Sequence, residues 1–218
     1  MRIFSLDPGK NVDPFAGVIL DVDQEKIIIK AARYWLHVPY PEVEIEITRI
    51  YKMLEVDRIV CESNAMGDHV IDSLKRNHSL PIYKIFTGSA KTNKIGVMNK
   101  MDMLMWMNRM VQDKKIIWPS VDEDNKYTKE LKRQWAIFGE YKKDKVEAPA
   151  GEHDDLVLAL MLGCYYARHH IMRGDKSQVI VDNKQFKVVS KGQSQIKTML
   201  PEGCIPIKDS TQSWAYPD

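Results

Sequence analysis

Three apolar runs follow one another within the first 35 residues, and this spacing constrains the fold more than any other feature of the chain. The runs cover Arg2–Leu6, Phe15–Leu20 and Ile27–Trp35, and short turn-like segments separate them. Such close spacing favours antiparallel neighbours, because a parallel pair needs a crossover of a dozen or more residues. The sequence therefore predicts an antiparallel meander.

The chain from there to about residue 173 alternates between helical and strand-like patterns. Apolar residues at spacings of three and four predict helices over 41–54, Gly67–Lys75, Met98–Met110, Tyr127–Phe138 and Leu156–Ala167. Short apolar runs predict strands at Arg58–Cys61, Ile82–Phe86 and Ile116–Trp118. A meander followed by strand–helix–strand units predicts an α/β fold, in which a mixed sheet of antiparallel and parallel strands is flanked by helices.

The pattern changes after residue 173. Val179–Val181 and Phe186–Val189 suit a hairpin, and the remainder is loop-like, with several prolines and glycines. We therefore expect one domain over residues 1–173 and a tail or small appendage over 174–218.

Composition excludes several classes of protein. With 44% hydrophobic and 28% charged residues, the chain matches a soluble globular protein rather than a disordered one. The three cysteines, Cys61, Cys164 and Cys204, are far apart and include no C-x-x-C, which argues against a disulfide framework or a cysteine zinc site. The sequence shows no secretory signal and no membrane span, so we expect an intracellular protein without a membrane partner.

Certain carboxylates stand where buried elements end or begin. Asp7 ends the first strand, Glu62 ends the strand after the first helix, and Asp154 and Asp155 open the last helix. Residues at strand ends and helix starts converge at one edge of an open α/β sheet, where sites usually lie. Close carboxylates repel one another unless a cation neutralises them, and their oxygens suit Mg²⁺ or Mn²⁺.

Each carboxylate also has a simpler structural explanation. Asp7 precedes Pro8-Gly9, and aspartate favours turns. Glu62 is explained equally by a surface position at a strand end, and either Asp154 or Asp155 by a helix cap. The functional hypothesis rests on the occurrence of all of them together, in this order.

The surrounding motifs resemble the nuclease domain of the large terminase subunit, which cuts concatemeric DNA during packaging in tailed phages and herpesviruses. The motifs that carry the resemblance are Asp7-Pro8-Gly9 with Ala16-Gly17, Glu62 with the segment 67–74, and Gly151-Glu152-His153-Asp154-Asp155 with the apolar run that follows. The resemblance covers about residues 1–170.

This resemblance implies an RNase H-like fold and an endonuclease that uses two divalent ions, Mg²⁺ or Mn²⁺. It implies that Asp7 is the ligand shared by both ions, that Glu62 binds one of them, and that Asp154 or Asp155 completes the site. We expect both members of that pair near the metals. His153 would support a metal ligand or contact a phosphate, although a hydrogen bond at the helix start explains it equally well.

A basic middle segment is the predicted contact for double-stranded DNA. Residues 81–145 hold 14 Lys/Arg against 8 Asp/Glu. Lysines that flank the acidic motifs would contact phosphates without reading sequence. The predicted contacts are Lys84, Lys91, Lys94, Lys100, Lys142, Lys143 and Lys145. Solubilising lysines on solvated helix faces are the alternative explanation.

Complete large terminases also carry an ATPase, but no G-x-x-x-x-G-K-[ST] occurs here. We therefore expect the nuclease without the motor, with a terminase ATPase, a small terminase subunit or a portal as further partners, in the cytoplasm of a host cell. Two alternatives stay open. One is an RNase H-like Holliday-junction resolvase; the other is a non-catalytic DNA-binding or assembly protein.

Overall fold

A mixed seven-stranded sheet forms the centre of the molecule. The computed structural model describes residues 1–9, 14–64, 66–88, 96–120, 125–142, 145–172, 205–206 and 214–215. The strands of the sheet are β1 (Arg2–Asp7), β2 (Phe15–Val22), β3 (Ile27–Trp35), β4 (Arg58–Glu62), β5 (Ile82–Thr87), β6 (Val97–Met98) and β7 (Ile116–Ile117). Their spatial order is β6-β5-β4-β1-β2-β3-β7.

The direction of the strands confirms the predicted mixed sheet. β1, β2 and β3 form the antiparallel meander. β4 pairs in parallel with β1, β5 with β4, β6 with β5, and β7 with β3. Consequently β1 lies at the junction of the two arrangements, with an antiparallel neighbour on one side and a parallel neighbour on the other.

Five described helices cover the two faces of this sheet. They are α1 (Tyr40–Met53), α2 (Met66–His78), α3 (Lys100–Gln112), α4 (Lys126–Ile137) and α5 (Asp155–His170). Buried residues of α1 and α2 form one core with the sheet, and those of α3, α4 and α5 form the other. None of the described helices is long and apolar enough to cross a membrane.

Helix α5 packs directly on β1 and β2. Its residues are buried around almost the whole helix, as expected for one enclosed by a sheet and two further helices. A Cβ added at Gly163 would lie 2.5 Å from Leu20 Cδ1 and 2.9 Å from Ser5 Oγ. The missing side chain at Gly163 therefore lets the helix approach the centre of the sheet.

Three details differ from the sequence-based expectation or extend it. Met98 was predicted to begin a helix but belongs to β6, because Asn99 caps α3 by accepting a hydrogen bond from the Asp102 N–H at 3.1 Å. A short hairpin of β8 (Gly139–Lys142) and β9 (Lys145–Glu147) was missed, since its strands are too short and polar to show an apolar run. The hairpin predicted within 179–189 lies outside the described residues.

The end of the chain contributes one further pair of strands, β10 (Ile205–Pro206) and β11 (Trp214–Ala215), which are antiparallel. The predicted domain boundary at residue 173 stays a prediction, since the described chain stops at residue 172 and resumes only at these strands.

Candidate active site

Asp7 lies at the end of β1, on the sheet face that α5 covers. Side chains alternate along a strand. Phe4 and Leu6 join the core with α1 and α2, whereas Ser5 lies beneath Gly163 of α5. Asp7 follows Ser5 by two residues and so shares its face, where it is 5% exposed. A buried carboxyl group is costly to ionise. Among the described residues, no positively charged side chain forms a hydrogen bond with Asp7.

The register of β1 and β4 brings Glu62 next to Asp7. Leu6 pairs with Cys61 in the parallel ladder, so the following residues, Asp7 and Glu62, stand side by side on one face. The charge of Glu62 is one of the causes that raise the pKa of Asp7. The structure therefore brings these two predicted site residues together.

Asp155 reaches the same level of the sheet from the start of α5. Asp7 pairs with Ala16, and Ala16 pairs with Tyr34 on β3, so the three form a row across the sheet. The Tyr34 hydroxyl donates a hydrogen bond to Asp155 Oδ2 at 3.3 Å. The negative charge of Asp155 also raises the pKa of Asp7. Ala16, the middle residue of the row, is fully buried.

Asp154 has a different task from its neighbour. Its Oδ2 accepts a hydrogen bond from the Ala148 N–H at 3.2 Å. It thereby closes a loop whose turn is held by the Glu152 N–H bonded to Pro149 O at 3.0 Å. Gly151 takes a φ of +86° in this turn, a conformation that favours glycine. Asp154 occupies the N-cap position of α5, but its side chain makes no capping hydrogen bond there and closes this loop instead.

His153 lies beside Asp155 at the rim of the site. Its Nδ1 is 3.5 Å from Asp155 Oδ2, and its ring stands edge-on to Tyr34 with 6.4 Å between the ring centroids. About half of the His153 side chain is exposed. The position suits either role predicted for it, orienting a carboxylate or meeting a phosphate from solvent.

The electrostatics of the site disfavour negative charge. Burial raises the pKa of Asp7 well above its ordinary range, the charges of Glu62 and Asp155 raise it further, and Lys100 opposes them. Burial also raises the pKa of Asp155 to about 6, with a further contribution from Asp154. Carboxyl groups that resist ionisation in one place are typical of a site completed by a positive charge.

The donor set fits a hard divalent cation. Asp7, Glu62 and Asp155 offer carboxylate oxygens only, which Mg²⁺ and Mn²⁺ prefer. Within the described ranges, no three His, Cys, Asp or Glu side chains stand close enough to form a ready-made cage for one ion. The charges of Glu62 and Asp155 act on Asp7, and these three carboxyl groups are the candidates for metal ligands that the sequence predicted.

The lysines predicted to contact DNA are only partly described. Lys100 begins α3 close enough to Asp7 to lower its pKa. Lys84 Nζ instead pairs with Asp68 at 2.8 Å and Asp72 at 3.6 Å, so its charge is offset by helix α2. Only the backbone is described for Lys142 and Lys145, while Lys91, Lys94 and Lys143 lie outside the described residues.

Sequence reasoning missed the uncharged residues that surround the carboxylates. Asn64 and Thr87 bond to Glu62, and Tyr34 bonds to Asp155. Gln134 is fully buried on α4, where its Oε1 accepts from the Leu156 N–H at 3.0 Å and so fixes the start of α5. The sequence held one usable signal for two of these residues: Tyr34 and Thr87 stand at or near the ends of predicted strands, as Asp7 and Glu62 do.

A change in stability with pH is expected from Asp155 in protein kept free of metal by EDTA. The folded state holds this proton up to about pH 6, whereas the unfolded state releases it near its ordinary value. The stabilising contribution is therefore complete below about pH 4 and is lost as the pH rises through about 6, a change of roughly 2–3 kcal/mol.

Chemical denaturation of the wild type and Asp155→Asn at several pH values isolates this effect. We expect the difference in unfolding free energy between the two proteins to shift in favour of the variant as the pH rises from 4 to 7. A difference that does not change with pH would contradict the raised pKa.

A family model described as the terminase RNaseH-like domain matches residues 4–166. No curated protein matches the chain at a significant level.

The fold is similar to that of solved terminase nucleases. The large terminase nuclease from thermophilic phage G20c is 15% identical, with a TM-score of 0.57 over 77% of this chain and 81% of that one. The same nuclease with bound magnesium has a TM-score of 0.54 at 16% identity, over 74% of this chain and 79% of that one. The large terminase from a second thermophilic bacteriophage is 12% identical with a TM-score of 0.55; the match covers 74% of this chain but only 38% of that chain. At such identities the likeness shows the fold alone, and this fold is the RNase H-like one that was predicted.

Proposed function

The chain belongs to the family of terminase RNaseH-like domains, and from this premise we propose that it is a divalent-metal-dependent DNA endonuclease that cuts double-stranded viral DNA during genome packaging. The observation that carries the proposal is that Asp7 and Glu62 stand side by side at the ends of neighbouring strands, while the charge of Asp155, at the start of α5, acts on Asp7. In sequence, Asp155 lies more than a hundred residues from Tyr34, the β3 residue to which it is hydrogen-bonded.

Mg²⁺ or Mn²⁺, bound as a pair, would supply water activation and stabilisation of the leaving oxygen in phosphodiester hydrolysis. In this proposal, Asp7 offers a buried carboxylate that both ions share. Glu62 and Asp155 flank it, one fixed at the end of β4 and the other at the start of α5. The burial that raises the pKa of Asp7 also makes a neutralising cation more strongly favoured there.

Residues around the carboxylates orient the substrate in the same proposal. His153, half exposed beside Asp155, would meet a phosphate oxygen or steady that carboxylate. Lys100, at the start of α3 near Asp7, would attract the phosphate backbone. The solved nuclease with bound magnesium has a similar fold, which supports the choice of cation.

Plasmid cleavage tests the proposal through the neighbours Asp155 and Asp154. With Mn²⁺ or Mg²⁺ present, we expect Asp155→Asn to lower the rate of nicking more than about 100-fold, because it removes a charged ligand of the ions. Asp154→Asn keeps an oxygen that can accept from the Ala148 N–H. We therefore expect it to cut within roughly tenfold of the wild-type rate.

Each contrary result has a distinct meaning. Equal loss in both variants would remove the distinction between the two aspartates. Wild-type protein that cuts no duplex with either metal would refute the endonuclease. A strong preference for four-way junctions over linear duplex would favour the resolvase alternative instead.

Contact between the β8–β9 hairpin and DNA phosphates is a further part of the proposal. Changing Lys142, Lys143 and Lys145 together to glutamine should weaken binding to unrelated duplexes alike. It should also reduce the slope of log K against log salt by up to about 3, roughly one for each lost phosphate contact. Fluorescence anisotropy at several salt concentrations measures both quantities, and an unchanged slope would show that these lysines do not touch DNA.

A further inference from the structure

We propose that Asn64 and Thr87 form a neutral clamp that holds Glu62 in position for a divalent cation. The inference rests on the proposed function and adds two positioning residues to it. Asn64 lies in the turn just after β4, and Thr87 ends the neighbouring strand β5. Between them they tie the Glu62 carboxylate from two different elements.

The hydrogen bonds of the clamp form a chain that ends on one oxygen atom. The Asn64 Nδ2 donates to Thr87 Oγ1 at 2.6 Å and to Glu62 Oε1 at 3.0 Å. The Thr87 hydroxyl in turn donates to the same Glu62 Oε1. Because both donors form their hydrogen bonds with Oε1, neither of them uses Oε2, and that oxygen is left for other partners.

The backbone holds both clamp residues firmly. Glu62 pairs with Ile85 across the parallel ladder, and Thr87 follows Ile85 by two residues, so its side chain lies on the same face. The Asn64 Nδ2 also lies 3.0 Å from the Thr87 carbonyl oxygen, so its two hydrogens are shared among three acceptors and link the turn to β5. Asn64 O accepts from the Gly67 N–H at 2.9 Å, which anchors the turn to α2.

The two clamp residues carry no charge, and this points to a cation as the partner of the Glu62 carboxylate. Two other part-buried carboxylates of the chain are paired with arginine: Asp21 with Arg2 at 2.7 Å, and Glu46 with Arg33. The hydrogen-bond donors to Glu62 that the structure describes are an amide and a hydroxyl instead. Neutral donors fix the carboxylate without offsetting its charge, so its full attraction for a cation is kept.

An unsatisfied oxygen is a second observation that points to a functional position for Asn64. Its Oδ1 is buried and accepts no hydrogen bond from any part of the chain that the structure describes. A buried unsatisfied oxygen is unfavourable for folding, and a functional role is one of the explanations for such a group in a native structure. Asn64 is therefore explained better by the bonds that its Nδ2 makes than by a contribution to stability.

The physical benefit of the clamp is preorganisation. A free glutamate side chain loses rotamer entropy when it is fixed on an ion, and this loss weakens binding. With Glu62 already held, less entropy is lost and the cation binds more tightly. Partners that orient metal ligands typically contribute about 10–100-fold in metal affinity.

Calorimetric titration of the folded, metal-free protein with MnCl₂ tests the clamp without any cleavage assay. We expect Thr87→Val, which removes the hydroxyl and keeps the shape, and Asn64→Ala to weaken Mn²⁺ binding about tenfold each. Thr87→Ser keeps the hydroxyl and should stay within about threefold of the wild type. Ser73→Ala is the matched control. The Ser73 hydroxyl, on helix α2 and away from the site, also donates to a carboxylate, Glu44 Oε2, at 2.8 Å.

The outcomes separate the inference from the function on which it rests. Wild-type protein that neither binds Mn²⁺ nor cuts duplex refutes both. Wild-type protein that does both, together with Thr87→Val and Asn64→Ala variants that bind Mn²⁺ as tightly as it does, refutes the clamp alone. If Thr87→Val fails to melt cooperatively, Asn64→Ala and Thr87→Ser carry the comparison.

Discussion

Asp7→Asn is expected to abolish DNA cleavage and, at the same time, to raise the melting temperature of the metal-free protein. Asparagine has the same shape as aspartate but no charge to offer a cation. We expect the cleavage rate to fall by at least about 1,000-fold, since the residue proposed to bind both ions is lost.

The gain in stability has the same physical origin. Asp7 is buried against two other carboxyl groups, and its raised pKa shows that ionising it in the folded protein is costly. A neutral side chain avoids that cost, so above pH 7 we expect a gain of about 1–2 kcal/mol. For a chain of this size each kcal/mol corresponds to roughly 2–4 °C in melting temperature.

Asp21→Asn is the control, because it changes a carboxylate of the same sheet with the opposite electrostatics. Arg2 lowers the pKa of Asp21 through a two-point ion pair with 2.7 and 2.9 Å contacts. That stabilising contribution is present above the ordinary pKa, so the variant should lose up to about 1 kcal/mol at neutral pH while it still cuts DNA.

Differential scanning fluorimetry in EDTA, with and without added Mn²⁺, measures these changes beside a plasmid assay. Wild-type protein should be stabilised by Mn²⁺, and Asp7→Asn much less. An Asp7→Asn protein that cuts as fast as the wild type, or that melts at a lower temperature in EDTA, would show that Asp7 is a structural residue.

Gly67→Ala is expected to damage both folding and cleavage, although the change adds a single methyl group. A Cβ at this position would lie 2.0 Å from the carbonyl oxygen of Glu62 and 2.9 Å from its carbonyl carbon. Both atoms belong to the backbone, so no side-chain rotation relieves the contact. Either helix α2 or the end of β4 must move by more than an ångström.

The two consequences can be estimated separately. Overpacking against rigid backbone should cost about 3 kcal/mol of unfolding free energy. Because the atom that is pushed belongs to Glu62, its carboxylate shifts as well, and a displacement of this size costs about 100-fold in rate. Urea unfolding and the plasmid assay measure the two effects.

Gly163→Ala makes the same chemical change at a position with a different environment. Its Cβ would meet Leu20 Cδ1 and Ser5 Oγ, which are side-chain ends that can rotate, and helix propensity returns up to about 1 kcal/mol. We expect a smaller loss of stability than at Gly67, with cleavage retained. Equal effects at the two glycines would mean that Gly67 has no special link to Glu62.

The local pattern of the sequence was sufficient for most of the secondary structure. The third strand was predicted with its observed bounds, Ile27–Trp35, and both of its end residues are buried. Helix starts were less predictable: Met98 is apolar and therefore extended the predicted α3, whereas the cap at Asn99 sets the true beginning. The β8–β9 hairpin was beyond prediction because its few residues have no apolar pattern.

The candidate site divides in the same way. Asp7, Glu62 and the Asp154-Asp155 pair were identified from their places in the chain, as residues at the ends and starts of buried elements. The choice between Asp154 and Asp155 was open, since both stand at one helix start. The structure separates them: Asp154 bonds to the Ala148 N–H, and Asp155 reaches the Tyr34 hydroxyl.

Local patterns were enough to predict the order of strands and helices along the chain and the places of the carboxylates at their ends. Burial periodicity and turn chemistry depend on residues a few places apart. The tertiary structure alone decided which side chains meet. The parallel register of β1 and β4 places Asp7 beside Glu62, and the adjacent β5 brings Thr87 onto the same oxygen that Asn64 contacts. These strands pair in parallel and are far apart in the chain, so no hairpin turn fixes their register.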